Sequence, residues 1–598
     1  MNRRNFLKLN TWSQADRWMQ PQWQNGAALQ NKATSIRNIN LTDQQLASRF
    51  LAQATMGANM MLIDEVANVG IEAWLEQQFA ISQTETVQYM WDAIQPIYQL
   101  EDQPLLGLAP FRWAWWQAVM TGEDQLRQRL AMALSEIFVV STKTDFLEDL
   151  SLGIGSWYDM LLKNAFGNFR DLLFDVTMHP VMGYYLSHAG NRKADPSTNR
   201  FPDENYAREV MQLFSIGLFE LNLDGSRKLD ENGEPIATYN NADISEFAKI
   251  FTGLVYQRVE WFADEFEEEG GELGTEEEFI TREPSWENIT KPMEMWDSLH
   301  ESGEKRLLND AVVSSGQTGM QDVNDAVDNL FNHLNVGPFM ARLLIQRLVK
   351  SHPSSGYIER VATAFNEGTF NGEGSGTRGD MQAVVKAILL DDEAREPSFI
   401  NEPTHGMLRE PFIRYTQLCR AFEAKNENGE NLFYNYAEYS SEQLGQYPFA
   451  SPSVFNFFSP DFRPLGPLEQ ANINAPEFQL MTSVSAVKVA NFWEDAIWEG
   501  DLMELPEEIE ETDDPEEKLP TISPVFLDLE PYEPLEGDVD ALIDRLDLLL
   551  TYGTLSNDMR TIMSTTLTAL YGEIDDWGDV IRFALVLFMN CPDYTIQK

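Results

Sequence analysis

The stretch PDENYAREVMQLFSIG, residues 202–217, separates apolar from polar side chains when it is placed on a helix. At 100° per residue, its apolar side chains fall within about one third of the helical circumference. These residues are Tyr206, Val210, Leu213, Phe214 and Gly217. The opposite half carries the polar residues Glu204, Asn205, Arg208, Glu209 and Gln212. A helix with two such faces packs one side against a core, so the stretch predicts a helical fold.

The same helical period recurs along most of the chain. Beyond residues 204–217, it predicts helices over 111–120, 123–140, 157–164, 168–177, 241–253, 322–333, 336–350, 355–366, 379–391, 408–423, 467–498, 537–551, 556–570 and 576–590. The best strand signal runs from Lys228 to Ile236, where Asn232-Gly233 favours a type I′ hairpin turn. The sequence therefore predicts a mostly α, large multi-helix globular protein with a minor β-hairpin near 228–236.

Composition limits the classes of partner. The chain has 598 residues, of which 43 are basic and 95 acidic, and its formal net charge is -52. Such an acidic surface repels phosphates and anionic lipids, which excludes nucleic acid and anionic membranes as primary ligands. No run of about 18 apolar residues occurs, so no membrane span is predicted. The acidity is suited to binding cations or basic partners; the alternative is that it only keeps a large protein soluble.

The pattern divides the chain into an N-terminal arm and one large domain. Residues 1–41 are rich in Gln, Asn and Trp with weak periodicity, and we interpret them as the arm. Residues 42–598 are predicted to form a single large helical domain. Two acidic runs interrupt its helices at about 263–283 and 504–520, and we interpret both as exposed insertions.

The N-terminus resembles an export signal. RRNFLK, residues 3–8, is similar to the bacterial twin-arginine motif, but polar residues follow it where an apolar stretch is expected. The motif is a relic, or works without that stretch, or the protein leaves the cell with a partner that carries the signal. These interpretations predict a periplasmic or extracellular protein. A chance arginine pair leaves a cytoplasmic location as the alternative.

Metal and cofactor motifs are few. The six histidines form no HxxxH or HExxH pair and the two cysteines form no CxxC, so the sequence offers no zinc motif. It also carries no haem or nucleotide motif. An all-oxygen calcium site is compatible with the composition, with Asp224 and Asp230 as candidate ligands. A turn explains these two residues equally well, because the closing glutamate of a calcium loop is absent.

The polar face of residues 202–217 is the candidate functional site. Its side chains pair at i, i+4, as in Glu204 and Arg208. A structural polar network, a ligand site and a catalytic acid–base site are all open interpretations. In the catalytic one, Glu209 is the general base and acts with Glu204, Arg208 and His179. The candidate ligand-binding residues are Asn205, Tyr206 and Gln212.

Several motifs resemble the bacterial family called domain of unknown function 1800, from about residue 42 to the C-terminus. They are QRLAMALSEIFVVS (128–141), NAFGNFRDLL (164–173), HPVMG (179–183), DENYARE (203–209), NVGPF (335–339), RGD (378–380), REP (409–411), PSVFNFF (452–458) and CPDYTIQ (591–597). The resemblance implies an all-helical protein that is often exported. It also implies a co-encoded partner, a sulfatase-like exported protein. It implies no reaction.

The leading hypothesis is an exported envelope or extracellular protein that acts as a binding or assembly partner of the co-encoded sulfatase-like protein. The first alternative is a hydrolase-type enzyme with a Glu/Arg/His cleft around residues 179–212. The second is a self-assembling surface protein that uses the aromatic loop 440–466 as its contact. Whether the protein is an enzyme stays open at this point.

Overall fold

The computed structural model describes residues 41–98, 105, 107–144, 146–258, 284–426, 443–498, 525–574 and 576–598. Apart from Leu41, the predicted N-terminal arm lies outside these residues. The acidic insertion at 263–283 lies outside them too, as does the one at 504–520. No helix in the described parts of the chain is both long and apolar enough to cross a membrane.

The fold is mostly α, as predicted. The first half of the chain contains α1 Asp43–Ala54, α2 Met60–Val69, α3 Ile71–Ala80, α4 Thr86–Tyr89, α5 Gln95–Tyr98, α6 Ala109–Thr121, α7 Gln125–Ser135, α8 Ser151–Asn164, α9 Phe169–Met178, α10 Pro180–Tyr185, α11 Asn205–Gln212 and α12 Asn241–Ile250. The second half contains α13 Gly319–Phe331, α14 Val336–Leu348, α15 Ser355–Glu367, α16 Met381–Leu389, α17 Asp392–Arg395, α18 Pro411–Ala421, α19 Pro467–Gln470, α20 Ser483–Trp498, α21 Val539–Leu546, α22 Asn557–Tyr571, α23 Trp577–Asn590 and α24 Pro592–Thr595.

Short π and 3₁₀ segments join some of these helices. The π segments are Met90–Ile94 and Asp547–Thr551, and the 3₁₀ segments are Leu147–Asp149, Leu308–Asp310, Pro397–Asn401, Pro476–Leu480 and Glu530–Leu535.

The strands of the described residues form two-stranded antiparallel pairs. They are β1 Leu254–Val255 with β2 Glu294–Met295, β3 Lys305–Arg306 with β4 Val312–Val313, β5 Met407–Leu408 with β8 Ile596–Gln597, and β6 Lys425–Asn426 with β7 Val525–Phe526. With two residues to a strand, these pairs tie loops together and do not form a sheet core.

The buried aromatic residues explain how the helices form one core. Trp115 and Trp116 on α6 are fully buried and pack around Phe412 at the start of α18, with ring centroids 5.2 and 5.5 Å apart. The Trp116 indole N–H donates to the Tyr447 hydroxyl at 3.1 Å. Buried residues from α1 through α24 belong to the same continuous hydrophobic cluster.

Three predicted helices are clearly too long, and the first, predicted over 123–140, is helical only from Gln125 to Ser135. The helix predicted over 204–217 ends at Gln212, and Gly217 with φ +71° closes the turn by donating its N–H to the Met211 carbonyl at 2.9 Å. The helix predicted over 467–498 is continuous only from Ser483. Pro476 supplies no N–H to a helix there, so the preceding segment forms α19 and a 3₁₀ turn instead.

The chain reverses near 228–236 as predicted, but the turn type is wrong. Leu229 and Pro235 form an isolated antiparallel bridge, and Asp230 donates its N–H to the Glu234 carbonyl at 2.8 Å. Gly233 has φ +82°, whereas Asn232 is not among the residues with positive φ. A type I′ turn needs positive φ at both central residues, so the Asp230 carboxylate organises this turn instead.

Candidate functional site

Helix α11 carries the predicted site, and its inner face is part of the core. The Tyr206 ring is buried and stacks on His188 with centroids 3.9 Å apart. Its hydroxyl lies 2.7 Å from the Thr177 hydroxyl. Tyr206, predicted to contact a ligand, is therefore held by side chains of the scaffold.

The outer face of α11 forms a partly exposed row of polar groups. Glu204 lies 3.6 Å from Arg208 between Oε2 and Nη2, and both side chains are half-exposed. The second oxygen of Glu204 accepts a hydrogen bond from Ser245 Oγ on α12 at 2.5 Å. One turn further along, Gln212 Oε1 accepts from the Tyr239 hydroxyl at 3.2 Å. Contacts with α12 and the residues just before it thus order this face.

Asn205 sits at the start of the same helix. Its backbone N–H donates to Asp203 Oδ1 at 2.7 Å, and its Nδ2 donates to Ser187 Oγ at 3.4 Å. Both contacts fix the first turn of α11. The exposed amide remains accessible from solvent at the edge of the polar row.

Glu209 is the buried member of the row. The residue is 6 % exposed, and its Oε2 has no hydrogen-bond partner among the described residues. Burial raises the pKa of Glu209, and the neighbouring Arg208 lowers it by a smaller amount. A buried carboxylate with an unused oxygen is suited to accept or hold a proton, which is the role predicted for it.

His179 faces a different part of the scaffold. Its Nδ1 accepts the backbone N–H of Val181 at 3.3 Å and so caps the start of α10. The proton therefore lies on Nε2, which is 3.1 Å from Ser156 Oγ. Burial lowers the pKa of His179 to about 3, so the imidazole is neutral at pH 7. The structure thus brings together Glu204, Arg208, Glu209 and Gln212, but its contacts place His179 elsewhere.

The two candidate calcium ligands organise turns. Asp224 Oδ1 accepts from Ser226 N at 2.9 Å and from its hydroxyl at 2.6 Å. Asp230 Oδ1 accepts the backbone N–H groups of Asn232 and Glu234 at 2.8 and 2.9 Å. Within the described ranges, no group of three or more His, Cys, Asp or Glu side chains converges as a metal site. Calcium binding at this turn stays a prediction.

Sequence reasoning missed a buried group of three carboxyls. Glu136 and Glu410 are bridged by Gln446, whose Nε2 donates to Glu410 Oε2 and lies 3.3 Å from Glu136 Oε1. Burial first, and then the charge of Glu410, raise the pKa of Glu136 well above its ordinary value. Glu477 Oε2 accepts from Ser351 Oγ at 2.7 Å, and burial raises the pKa of Glu477 to about 8.

Two buried arginines accompany these carboxyls. Arg347 Nε lies 3.3 Å from Glu136 Oε2, and the Arg347 carbonyl accepts a hydrogen bond from Arg129. Three ionised carboxyls would carry three negative charges against the two positive charges of the guanidiniums. If one carboxyl keeps its proton, the group is neutral. One signal could have found it: Glu136 lies between the apolar stretches 131–134 and 137–140, where a buried charge needs a partner. We interpret the group as a structural network, because all five side chains are buried.

A second buried cluster joins α12 to α13. Asp322 Oδ2 lies 2.9 Å from His300 Nε2 and also contacts Lys305 Nζ. His300 Nδ1 donates to the Thr252 carbonyl at 2.8 Å. Lys305 also lines an open polar cavity of about 530 Å³ beside α12. The three side chains are nearly fully buried and connect the start of α13 to the segments around Thr252 and His300.

The comparisons with known proteins find a family and no further relative. The model of one family matches residues 49–596, and that family is described as a protein of unknown function (DUF1800). The match confirms the resemblance that the motifs indicate. No curated protein and no solved structure matches the chain significantly.

Proposed function

We propose, from the premise that the chain belongs to the DUF1800 family of proteins of unknown function, that it is a non-catalytic binding protein of the bacterial envelope. In this proposal it is exported and assembles with the sulfatase-like exported protein that members of the family are commonly encoded beside. The twin-arginine-like RRNFLK sequence without a following apolar stretch favours export together with a partner.

An exposed apolar surface on α20 carries the proposal. Val484 and Val487 are 63 % and 60 % exposed, and their spacing of three puts them on the same side of the helix. Leu465, in the segment that leads to this helix, is 89 % exposed. Apolar side chains that remain in water mark a surface that gains free energy when a partner covers it.

The contacts of α11 also favour binding over catalysis. Glu204 is engaged by Arg208 and Ser245, and Gln212 by Tyr239. His179 uses both imidazole nitrogens to hold α10 and α8 in place. Groups engaged in this way stabilise a scaffold, which is what a binding protein requires.

Co-expression tests the assembly. The two proteins are produced together with an affinity tag on the partner, and the chain is expected to co-purify with it and to be found outside the cytoplasm. Val484→Asp combined with Val487→Asp should abolish co-purification, because a charge in the contact loses its water. Ile562→Asp, at a similarly exposed residue on α22, is the control that should leave it unchanged. Wild-type proteins that neither co-purify nor leave the cytoplasm would contradict the proposal.

Glu209 supports a second candidate, a hydrolase-type enzyme. The partnerless Oε2 and the raised pKa fit a general base beside the half-exposed pair of Glu204 and Arg208. If this candidate holds, Glu209→Gln melts at the wild-type temperature but loses the turnover of a panel of ester, glycoside and sulfate-ester substrates. Equal turnover in the variant, or its loss of folding, would favour the scaffold role.

Self-assembly is the remaining alternative, and Phe455 in the aromatic loop favours it because its ring is 57 % exposed. Native mass spectrometry distinguishes it from the leading proposal. A monomer across the concentration range rules out self-assembly, whereas oligomers that Phe455→Ser dissociates support it.

A further inference from the structure

Three separate parts of the chain surround an open cavity of about 650 Å³. One wall is the turn that contains Asp224 and Arg227, and another is the segment from Asp461 to Asn474. Arg342 on α14 and the residues from His352 to Ile358 line the rest. A volume of this size is in the range of cavities that take small organic ligands.

The segment 459–480 forms its wall as a compact loop held at several points. The Ala475 N–H donates to the Phe462 carbonyl at 2.9 Å, and the Pro460 carbonyl accepts from Gln346 Nε2 at 3.1 Å. Ser351 donates to Glu477 at 2.7 Å. The wall is thus fixed to α14 and to Ser351, three residues beyond its end, so the cavity is preformed.

Arginines are as numerous as carboxylates in this lining although the chain as a whole is strongly acidic. Three arginines and three carboxylates line the cavity, whereas the whole chain has 43 basic and 95 acidic residues. The arginines are Arg227, Arg342 and Arg463, and the carboxylates are Asp224, Asp461 and Glu469. The lining is formally neutral in a molecule of net charge -52, so an anion is repelled less here than by the acidic surface as a whole.

Each arginine keeps N–H groups that the described residues do not use. Arg342 donates to Pro460 O and contacts Asp461, both through Nη2, which leaves Nε and Nη1. Arg463 uses Nε and Nη1 for Asn474 and Asn472 at 2.7 and 2.9 Å, which leaves Nη2. A guanidinium group has five N–H donors and no acceptor, so each unused N–H can donate a hydrogen bond to an oxygen atom of a ligand.

Arg227 is the least engaged of the three. Its nearest ionic contact is Asp461 Oδ2, 3.7 Å from Nη2, and its guanidinium lies over the Phe219 ring at 4.5 Å. His352 adds a further donor, since its Nδ1 accepts the Asn474 N–H at 3.2 Å and the proton therefore lies on Nε2. Because His352 lines the cavity, this hydrogen bond fixes the position of its Nε2–H donor there.

The charge balance selects the ligand class. A lining with as many carboxylates as arginines accommodates one added negative charge more readily than two, which favours a carboxylate over a phosphate. Acceptors such as Glu469 and amides such as Asn472 are suited to hydroxyl groups on the rest of the ligand. The volume exceeds that of a single ion.

We propose that this cavity binds a small carboxylate with several hydroxyl groups, an acidic sugar, whose carboxylate pairs with the free guanidinium donors of Arg227 and Arg463. The proposal is independent of the partner on α20, because the two tests use different residues and different ligands.

Calorimetric titration tests it with three probes: galacturonate, galactose and inorganic phosphate. Galacturonate is expected to bind, and galactose to bind at least about tenfold more weakly because it lacks the charged group. Phosphate is expected to bind more weakly than galacturonate. No binding of galacturonate would overturn the proposal, and tighter binding of phosphate would overturn the ligand class.

Two variants and a control localise the binding. Arg227→Gln and Arg463→Gln should each weaken galacturonate about tenfold or more. Arg227 is the more informative position, because its guanidinium makes no hydrogen bond within the described parts of the chain and only a long ionic contact and a ring contact, so its loss should change the melting temperature little. Arg170→Gln removes an arginine paired with Asp328 on another surface and should bind like the wild type. Wild-type affinity in a folded Arg227→Gln protein would overturn the proposal.

Discussion

Glu477 is 1 % exposed and keeps its proton at neutral pH. Burial raises the pKa of Glu477 from 4.5 to about 8, so between these pH values the folded state holds a proton that the unfolded chain releases. The stability from this group is therefore fully present below pH 4.5 and is lost as the pH rises through about 8. A buried carboxyl makes the protein less stable in alkali.

We predict that Glu477→Gln removes this dependence, because an amide is neutral at every pH and can still accept from Ser351. The wild type should lose up to about 1.4 kcal/mol per pH unit relative to the variant between roughly pH 4.5 and pH 8. Urea unfolding of both proteins across that range measures the difference. Glu359→Gln, at an exposed residue of α15, is the control that should run parallel to the wild type. Parallel curves for Glu477→Gln would contradict the prediction.

At the residue scale, the angular pattern of residues 202–217 predicts faces better than contacts. Tyr206 and Val210 are buried and Glu204 and Arg208 are half-exposed, as the pattern indicates. Glu209 is on the polar half yet buried, because α12 packs against α11. The helical period of one segment does not show which other helix packs against it.

At the scale of elements, Asn335 ties α14 to the segment that follows α11. Although it precedes the helix, its side chain donates to the Ile216 and Phe219 carbonyls at 2.9 and 2.8 Å. Its Oδ1 accepts the Leu221 N–H at 2.9 Å. One fully buried amide thus satisfies three backbone groups of a segment that has no regular structure of its own.

We predict that Asn335→Ala destabilises the protein by about 3 kcal/mol or more, since each buried backbone group that loses its partner costs about 1–3 kcal/mol. Denaturant unfolding measures the loss. Asn332→Ala, three residues earlier and exposed, removes a single hydrogen bond to Asp328 O and should cost less than about 1 kcal/mol. Equal losses in the two variants would show that Asn335 has no special role.

The networks between elements explain why the site could not be completed from sequence. Gln446 and Glu136 are 310 residues apart, and Ser351 and Glu477 are 126 apart. Local patterns predict helices such as α14 and α15 within a few residues, because the amphipathic period is a local property. The contact that neutralises Glu136 depends on how three distant segments pack, which a single sequence does not contain.

At the scale of the molecule, charge opposes folding. With a net charge of -52, surface carboxylates repel one another more in the folded chain than in the expanded one. We predict that the melting temperature rises between about 0.02 and 0.3 M NaCl, as the screening length falls from roughly 20 Å to about 6 Å. Choline chloride should have the same effect, since screening does not depend on the cation. A melting temperature that falls with salt would show that exposed ion pairs outweigh the repulsion.

The first and last described segments meet, which bears on the predicted single domain. Ser48 and Arg49 on α1 donate to the Leu548 and Lys598 carbonyls at 2.7 and 2.9 Å. Strand β8 pairs with β5, and the Arg409 N–H donates to the Thr595 carbonyl at 2.8 Å. These contacts tie the first helix and the last described residues to one core, so the two ends cannot separate without breaking them.

We therefore predict one unfolding transition that moves as a whole when this junction is weakened. Tyr594 is fully buried and lies under the Arg409 guanidinium at 4.4 Å. Tyr594→Ala should lower the unfolding free energy by about 3–5 kcal/mol through the cavity that it leaves. Tyr594→Phe keeps the ring and should lose about 1 kcal/mol or less. Calorimetry checks the outcome: a peak that shifts intact fits a single cooperative unit, whereas two peaks of which only one shifts would divide the chain into independent domains.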